Sequence, residues 1–133
     1  MKKKNTLLLF LCLFSLWAVA QEKKPVKIAC VGNSITYGSG IKNQFQNSYP
    51  GLLSQLLGEG YDVRNFGISA RVLLNKGDHP YMHEQKFRDL LAFQPDIVTI
   101  KLGTNDSKPW NWRYGKDFKK DLTEMLDILQ ELP

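Results

Sequence analysis

The chain has 133 residues, of which 43% are hydrophobic and 23% charged, and its formal net charge is +5. This length suggests a single domain, and the hydrophobic fraction excludes an intrinsically disordered chain. Residues 1–20 hold three lysines and no acidic residue, so without them the charge is 5 − 3 = +2. So small an excess, with no run of basic residues interleaved with aromatic ones, predicts that nucleic acid is not a partner.

Residues 1–20 have the three-part pattern of a secretory signal peptide. Lysines come first, an apolar run extends from Leu7 to Val19, and Ala18 and Ala20 are the small residues that a signal peptidase reads. The apolar run is shorter than the roughly 20 residues of a membrane-spanning helix. The sequence therefore predicts a cleaved signal peptide, a short linker at 21–25, secretion or export to the periplasm, and no stable membrane span after cleavage. A retained N-terminal anchor is the alternative.

The rest of the chain alternates between strands and helices. Strands are predicted at Val26–Val31, Tyr61–Phe66 and Asp96–Leu102, and each is followed by glycine and a polar loop. A helix is predicted after each of the three loops. Strands that alternate with helices favour an α/β fold, in which a parallel sheet is covered by helices on both faces.

The predicted helices are recognised by their apolar faces and their ends. The first has Pro50 in its first turn, and the second runs from about His83 to Phe93, before a Gln-Pro pair. Cys30 is the one cysteine outside residues 1–20, and its apolar neighbours predict a buried, inert thiol. The apolar faces of the first and third helices are predicted at Leu52, Leu53, Leu56 and Leu57, and at Phe118, Leu122, Met125, Leu126 and Leu129.

Polar residues follow all three strands. The segments are Gly32-Asn33-Ser34, Gly67-Ile68-Ser69 and Gly103-Thr104-Asn105-Asp106. In a parallel sheet the ligand lies beyond the carboxyl ends of the strands, so the three loops are expected to meet in one crevice. Each segment alone is ordinary turn chemistry, and it is their combination that predicts a site.

The three loops contain the groups that a serine esterase needs. Ser34 follows a buried strand in a tight turn, where its hydroxyl is placed to act as an exposed nucleophile. Its own N–H, the N–H of Gly67 and the side-chain amide of Asn105 are candidate donors to the oxyanion that forms during ester cleavage.

The same segments resemble the signature blocks of the SGNH (GDSL-like) hydrolase family. Gly32–Thr36 is similar to the first block, Asn65–Ser69 to the second and Gly103–Asp106 to the third. The resemblance implies a three-layer α/β/α, flavodoxin-like fold for residues 26–133. It also implies Ser34 as the nucleophile, with the Ser34 N–H, the Gly67 N–H and the Asn105 side chain as oxyanion donors.

The chain departs from the family pattern at two points. Asn33 stands where the family usually has aspartate, and asparagine can serve the same turn. The fourth block, Asp-x-x-His, is not found after Asn105, because the two histidines, His79 and His83, both precede the third block. The domain is therefore expected to be incomplete at its C-terminus, without its general base and the partner aspartate, and inactive as this chain alone.

The substrate is predicted from the third loop. Trp110 and Trp112 lie in this loop, directly after the third block, and suit stacking on sugar rings, although they could equally cover the core. Lys101–Pro109 resembles the branch of the family that includes secreted sialate and other carbohydrate O-acetylesterases, which implies removal of O-acetyl groups from a glycan. A lipid-directed esterase of the same fold and a non-catalytic glycan-binding protein are the alternatives.

No cofactor is predicted, and no metal, since two histidines and one mature cysteine do not form a ligand cluster. The sequence leaves the oligomeric state open.

Overall fold

A computed structural model describes residues 23–133, so the predicted signal peptide lies outside the described residues. Three parallel strands form one sheet in the order β2-β1-β3, with β1 at Val26–Gly32, β2 at Tyr61–Gly67 and β3 at Ile97–Lys101. The predicted strands are confirmed to within one residue at each end. The register places Gly32 opposite both Gly67 and Lys101, so the three carboxyl ends lie side by side.

Six α-helices and two short 3₁₀ helices (Tyr81–His83 and Gly115–Asp117) accompany the strands in the part of the chain that the structure describes. Three of the α-helices have a single turn and lie in segments for which the sequence predicted loops, because one turn is too short to show an apolar period. In chain order the α-helices are α1 (Ser34–Tyr37), α2 (Gln44–Asn47), α3 (Tyr49–Leu57), α4 (Gln85–Phe93), α5 (Pro109–Trp112) and α6 (Phe118–Gln130).

The main core lies on one face of the sheet, under α4 and α6. The Phe66 and Phe93 rings pack with their centroids 5.6 Å apart. Tyr81 is fully buried in the same cluster, and its hydroxyl donates a hydrogen bond of 2.6 Å to the carbonyl of Phe66. The remaining buried members of this cluster are Ala29, Val31, Leu73, Phe87, Leu90 and Met125.

The opposite face of the sheet is covered by α1 and α3. Cys30 is fully buried there, as the sequence predicted. The Tyr49 hydroxyl, at the start of α3, lies 3.1 Å from Thr99 Oγ1 on β3, and burial raises the pKa of that hydroxyl. Helices on both faces make a three-layer α/β/α arrangement, which confirms the predicted fold class.

Two predicted apolar faces were partly wrong. In α3 only Leu53 and Leu57 are half-buried, while Leu52 and Leu56 are 46% and 84% exposed. A step of one residue turns a side chain by about 100° around the helix, so one pair faces the sheet and the other faces away. Leu126 of α6 was also predicted to face inward, and it is 39% exposed. Within residues 23–133, none of the helices has the length and apolarity needed to cross a membrane.

Candidate active site

Ser34 is the first residue of α1, directly beyond the carboxyl end of the central strand. Its side chain is half-buried, and neither its hydroxyl nor its N–H bonds to another residue of the described part of the chain. Its carbonyl accepts hydrogen bonds from the N–H groups of Gly38 and Ser39, which closes the single turn of α1. The nucleophile predicted from the sequence therefore has both its hydroxyl and its N–H uncommitted.

Asn33 builds the turn that presents Ser34. Its Oδ1 accepts a hydrogen bond of 3.0 Å from the N–H of Ile35, and its carbonyl accepts one of 2.9 Å from the N–H of Tyr37. This is the N-cap role, in which a short polar side chain satisfies an N–H of the first helical turn. Asn33 is buried, so the asparagine provides the turn for which the family usually has aspartate.

Gly67 ends β2, and its missing side chain makes room for α1. A Cβ at this position would overlap the backbone of Thr36 and Tyr37. The Gly67 N–H donates a hydrogen bond of 2.8 Å to Asn65 Oδ1. This N–H, expected from the sequence as an oxyanion donor, is therefore committed to a protein acceptor.

Ala70 lies in the same loop and was not singled out from the sequence. Its φ angle is 67°, in the left-handed region that residues other than glycine rarely adopt. Its N–H has no backbone or side-chain acceptor within residues 23–133. The sequence carries no sign of this conformation, because alanine is not a residue type that favours it.

Contacts on both sides of Ala70 hold this conformation. Ser69 Oγ lies 2.6 Å from Ser39 Oγ, next to α1, and the Ser69 carbonyl accepts a hydrogen bond of 3.0 Å from Arg71. Arg71 also pairs with Glu84 at 2.8 Å. The loop after β2 is thereby tied to α1 at one end and to the start of α4 at the other.

Asn105 joins the loop after β3 to the loop after β2. Its Nδ2 donates a hydrogen bond of 3.1 Å to the carbonyl of Arg71, the residue that follows Ala70. An amide nitrogen carries two protons, so this bond fixes the orientation of the side chain and leaves a second proton free to donate. Asn105 is half-buried, as a group at the rim of a crevice would be.

Asp106 is fully buried beside Asn105, and no role was predicted for it from the sequence. Its carboxylate accepts hydrogen bonds of 2.8 Å from the N–H groups of both Leu73 and Leu74. Bonds to an ionised acceptor are about twice as strong as neutral ones. Asp106 therefore fixes the loop after β2 against the loop after β3, and with it the position of Asn105.

The two tryptophans of the third loop differ in their surroundings. Trp110 is 54% exposed, and its Nε1 donates a hydrogen bond of 3.0 Å to Asp78 Oδ2, while the ammonium group of Lys108 lies 5.6 Å from its ring. Trp112 is 53% exposed and packs against Phe118 with ring centroids 5.9 Å apart. Both rings are partly open to solvent, and Trp110 is also held in orientation by a hydrogen bond.

Asp78 does not form a relay with the adjacent His79. Its carboxylate accepts hydrogen bonds from Trp110 and Asn111 instead. Desolvation alone would raise the pKa of Asp78, but these two hydrogen bonds, together with His79 and Lys108, lower that pKa below its usual value. His79 is exposed, and its side chain makes no hydrogen bond within residues 23–133.

In the same range no three His, Cys, Asp or Glu side chains are grouped so that they could hold a metal ion.

Three comparisons relate this chain to known proteins. The profile of the GDSL-like Lipase/Acylhydrolase family matches residues 30–133. An acetylxylan esterase of Xylanibacter ruminicola is 54% identical over 111 residues. The crystal structure of AlinE4, an SGNH-hydrolase family esterase, superimposes with a TM-score of 0.60 at 24% identity, and a variant of AlinE4 does so with 0.59.

The matches cover most of this chain but only part of each relative. The aligned region is 84% of this chain and 23% of the acetylxylan esterase. For AlinE4 it is 83% of this chain and 57% of the structure. The chain thus spans about a quarter of the length of its curated relative. The likeness to AlinE4 shows the fold. In this chain, Ser34, Ala70 and Asn105 lie on neighbouring loops at one edge of the sheet.

Proposed function

Because the chain belongs to the GDSL-like lipase/acylhydrolase family, we propose that it carries the nucleophile of a serine esterase that removes O-acetyl groups from a carbohydrate. The observation that carries the proposal is the meeting of three strand-end loops. Gly32, Gly67 and Lys101 are aligned across the sheet, and the loops that follow them are joined by direct hydrogen bonds. Acetylated xylan is the proposed substrate, since the relative at 54% identity is an acetylxylan esterase.

In the proposed reaction, Ser34 Oγ attacks the carbonyl carbon of the acetyl group. The hydroxyl proton passes to a general base, and the carbonyl oxygen becomes an oxyanion. When the oxyanion collapses, the sugar oxygen leaves with a proton from the protonated base, and the acetyl group remains on Ser34. Water then attacks this ester and releases acetate. His79 and His83 are both exposed, and we assign the base to a part of the full-length protein outside this chain.

The oxyanion is proposed to be bound by the Ser34 N–H, the Asn105 amide and one N–H from the loop after β2. Gly67 is the donor expected from the sequence, and its N–H would first have to be released by Asn65. The Ala70 N–H needs no such rearrangement, so the contacts favour Ala70. Loss of one donor of this kind typically lowers turnover ~10²–10³-fold.

Trp110 and Trp112 are proposed to contact the glycan beside the ester. Both rings are about half exposed and follow the loop that carries Asn105. The hydrogen bond from Trp110 to Asp78 holds one ring in a fixed orientation, which reduces the entropy lost when a sugar ring stacks on it.

We also propose that the protein is exported. Residues 1–20 would be removed as a signal peptide, 21–25 would serve as a linker, and 26–133 would belong to the hydrolase domain. The N-terminal sequence of the mature protein tests this directly. A first residue near Gln21 supports the proposal, and an intact N-terminus held in the membrane would instead support the anchor.

The function is tested by hydrolysis of p-nitrophenyl acetate and of acetylated xylan by the full-length protein. Replacement of Ser34 by alanine is expected to lower turnover of both on the order of 10⁶-fold, as loss of the nucleophile does in other serine hydrolases. Ser54, on α3, offers a matched control, because Ser54→Ala should leave hydrolysis of the small ester unchanged.

The other possible results either contradict the proposal or favour one of the alternative functions. Activity that survives in Ser34→Ala would contradict the proposal. Preference for long acyl chains would favour a lipid-directed esterase, and xylan binding without hydrolysis would favour a glycan-binding protein. This chain alone is expected to show almost no turnover, because it lacks the base.

A further inference from the structure

A groove of about 820 Å³ runs along the outer edge of β2, and neither Ser34 nor any of the proposed oxyanion donors lines it. Its volume lies in the range of small-molecule sites in proteins. It begins at the carboxyl end of β2, near Tyr37 and Asn65, and extends toward Asp62. The other wall consists of α2 and α3, and Lys86 of α4 also lines the groove.

The groove is lined by two aromatic side chains that are open to solvent. Phe45 of α2 is 90% exposed, and Tyr37 of α1 is 40% exposed. The Phe45 ring packs against no other aromatic ring within residues 23–133, and the Tyr37 hydroxyl has no hydrogen-bond partner in that range. Flat apolar rings with a free polar group nearby suit the C–H faces and hydroxyls of sugar rings.

The remaining lining is mostly polar and carries one net positive charge, because Lys86 also lines the groove. Three glutamine side chains, at 44, 46 and 55, line the groove, and amides both donate to and accept from hydroxyl groups. Gln55 uses its amide nitrogen on the carbonyl of Gln46, at 2.8 Å, which leaves its oxygen free to accept. Arg64 and Asp62 neutralise each other through a contact of 2.8 Å. One net positive charge among amide, hydroxyl and aromatic groups favours a hydroxyl-rich ligand over a polyanion such as a nucleic acid.

One end of the groove lies close to the proposed active site. Tyr37 is the last residue of α1 and Ser34 is the first, so they are separated by about 4.5 Å along the helix axis. A ligand longer than the groove would therefore reach the loops around Ser34. We propose that the groove binds sugar rings of the same polysaccharide chain whose acetyl group is removed at Ser34, an inference that rests on the proposed function.

The inference is tested by comparing two substrates with two variants of the full-length protein. Phe45→Ala should lower kcat/KM for acetylated xylan roughly three- to tenfold, the size of one lost aromatic contact, mainly by raising KM. Hydrolysis of p-nitrophenyl acetate, which is too small to reach the groove, should stay at the wild-type rate. Leu56→Ala is the matched control, because Leu56 is 84% exposed on the same stretch of chain but does not line the groove.

Binding without catalysis separates this inference from the proposed function. In gels that contain deacetylated xylan, retardation of Ser34→Ala should equal that of the wild type, and Phe45→Ala should be retarded less. If the wild type binds xylan through Phe45 but hydrolyses no ester, the proposed function fails and the groove remains a glycan site. The inference would be overturned if Phe45→Ala lowered kcat/KM equally for both substrates, or for neither. It would also be overturned if retardation by xylan did not depend on Phe45, or if the groove bound another protein instead of xylan.

Discussion

Ala70 stands in a backbone conformation that costs an L-amino acid roughly 1–2 kcal/mol. Its φ angle of 67° is held by the Arg71 bond to the Ser69 carbonyl and by the Ser39–Ser69 contact. Strained backbone of this kind persists only where surrounding contacts impose it, and it is concentrated at functional sites. Here it leaves the Ala70 N–H without a protein acceptor, next to the loop that bears Asn105.

Replacement of Ala70 by glycine should raise the free energy of unfolding. Glycine removes the energetic cost of the left-handed conformation, but it also raises the backbone entropy of the unfolded chain, which opposes folding. We therefore expect a net stabilisation of about 0.5–1 kcal/mol. Urea unfolding of the full-length protein measures it. Ala92→Gly, at an exposed position inside α4, is the matched control and should lower stability by about as much. Two changes of the same sign would contradict the strained conformation of Ala70.

A second residue-scale prediction concerns the bond between Trp110 and Asp78. Because hydrogen bonds and nearby positive groups outweigh desolvation and lower the pKa of Asp78, this carboxylate should stay ionised as the pH falls through about 4, where an ordinary aspartate takes up a proton. The stabilisation is present above the unfolded pKa and is lost as the pH falls through the lower folded pKa. The indole N–H resonance of Trp110 should therefore shift only below about pH 4.

The control for this titration is Asp78→Asn, in which the Trp110 resonance should not follow a carboxylate titration. A shift of the wild-type resonance centred above the ordinary aspartate pKa would show that desolvation prevails over the hydrogen bonds. The orientation of Trp110 at acid pH would then have to depend on other contacts.

At the scale of elements, buried polar side chains bind the loops to one another. Asp106, at the start of the loop after β3, accepts hydrogen bonds from two successive N–H groups of the loop after β2. Farther along, Asn111 accepts from the Asp78 N–H at 2.9 Å and donates to the Asn105 carbonyl at 3.0 Å. The proposed oxyanion donors therefore belong to one bonded unit and not to independent loops.

Replacement of Asp106 by asparagine should destabilise this unit. The variant keeps the volume but turns an NH₂ group toward a backbone N–H, so the full-length protein should lose about 2 kcal/mol of unfolding free energy. Turnover should fall as well, because Asn105 loses its support. Asp127→Asn, at an exposed position on α6, should change neither quantity. Equal behaviour of the two variants would contradict the role given to Asp106.

Some elements were predictable from the sequence and others were not, for physical reasons. The strands could be predicted because β1 and β3 are largely apolar and all three predicted strands are followed by glycine and a polar loop. Ser34 and Asn105 could be predicted because they lie in blocks that resemble a known family. The left-handed backbone conformation of Ala70 could not be predicted, because tertiary contacts impose it. The exposure of Leu56 could not be predicted either, because it depends on how α3 is oriented about its own axis against the sheet.

At the scale of the whole molecule, strand order places the nucleophile at the centre. β1 lies between β2 and β3, so the loop that starts with Ser34 has a loop on either side. A chain folded in the order β1-β2-β3 would leave Ser34 at one side, remote from Asn105. The alternation of strands and helices predicted a parallel sheet, but the order came from the structure, since the loops alone do not determine which strand is central.

The groove along β2 also belongs to this scale. It is formed by residues of α1, α2, α3, α4 and β2, which are brought together only in the folded protein. In the sequence, Phe45 is one aromatic residue in a polar loop, and nothing there indicates that it lies beside Tyr37. If the groove holds sugar rings, specificity for a polymer and catalysis on an acetyl group would be located on opposite ends of α1.

The central claim is that Ser34 is an activated nucleophile, and covalent labelling tests it most directly. The full-length protein is treated with a fluorophosphonate. The oxygen of a catalytic serine attacks the phosphorus and displaces fluoride, and the modified peptide is identified by mass spectrometry. We expect one adduct, on the peptide that contains Ser34, and none in Ser34→Ala. An adduct on a different residue, or no adduct in a folded protein that hydrolyses esters, would contradict the account.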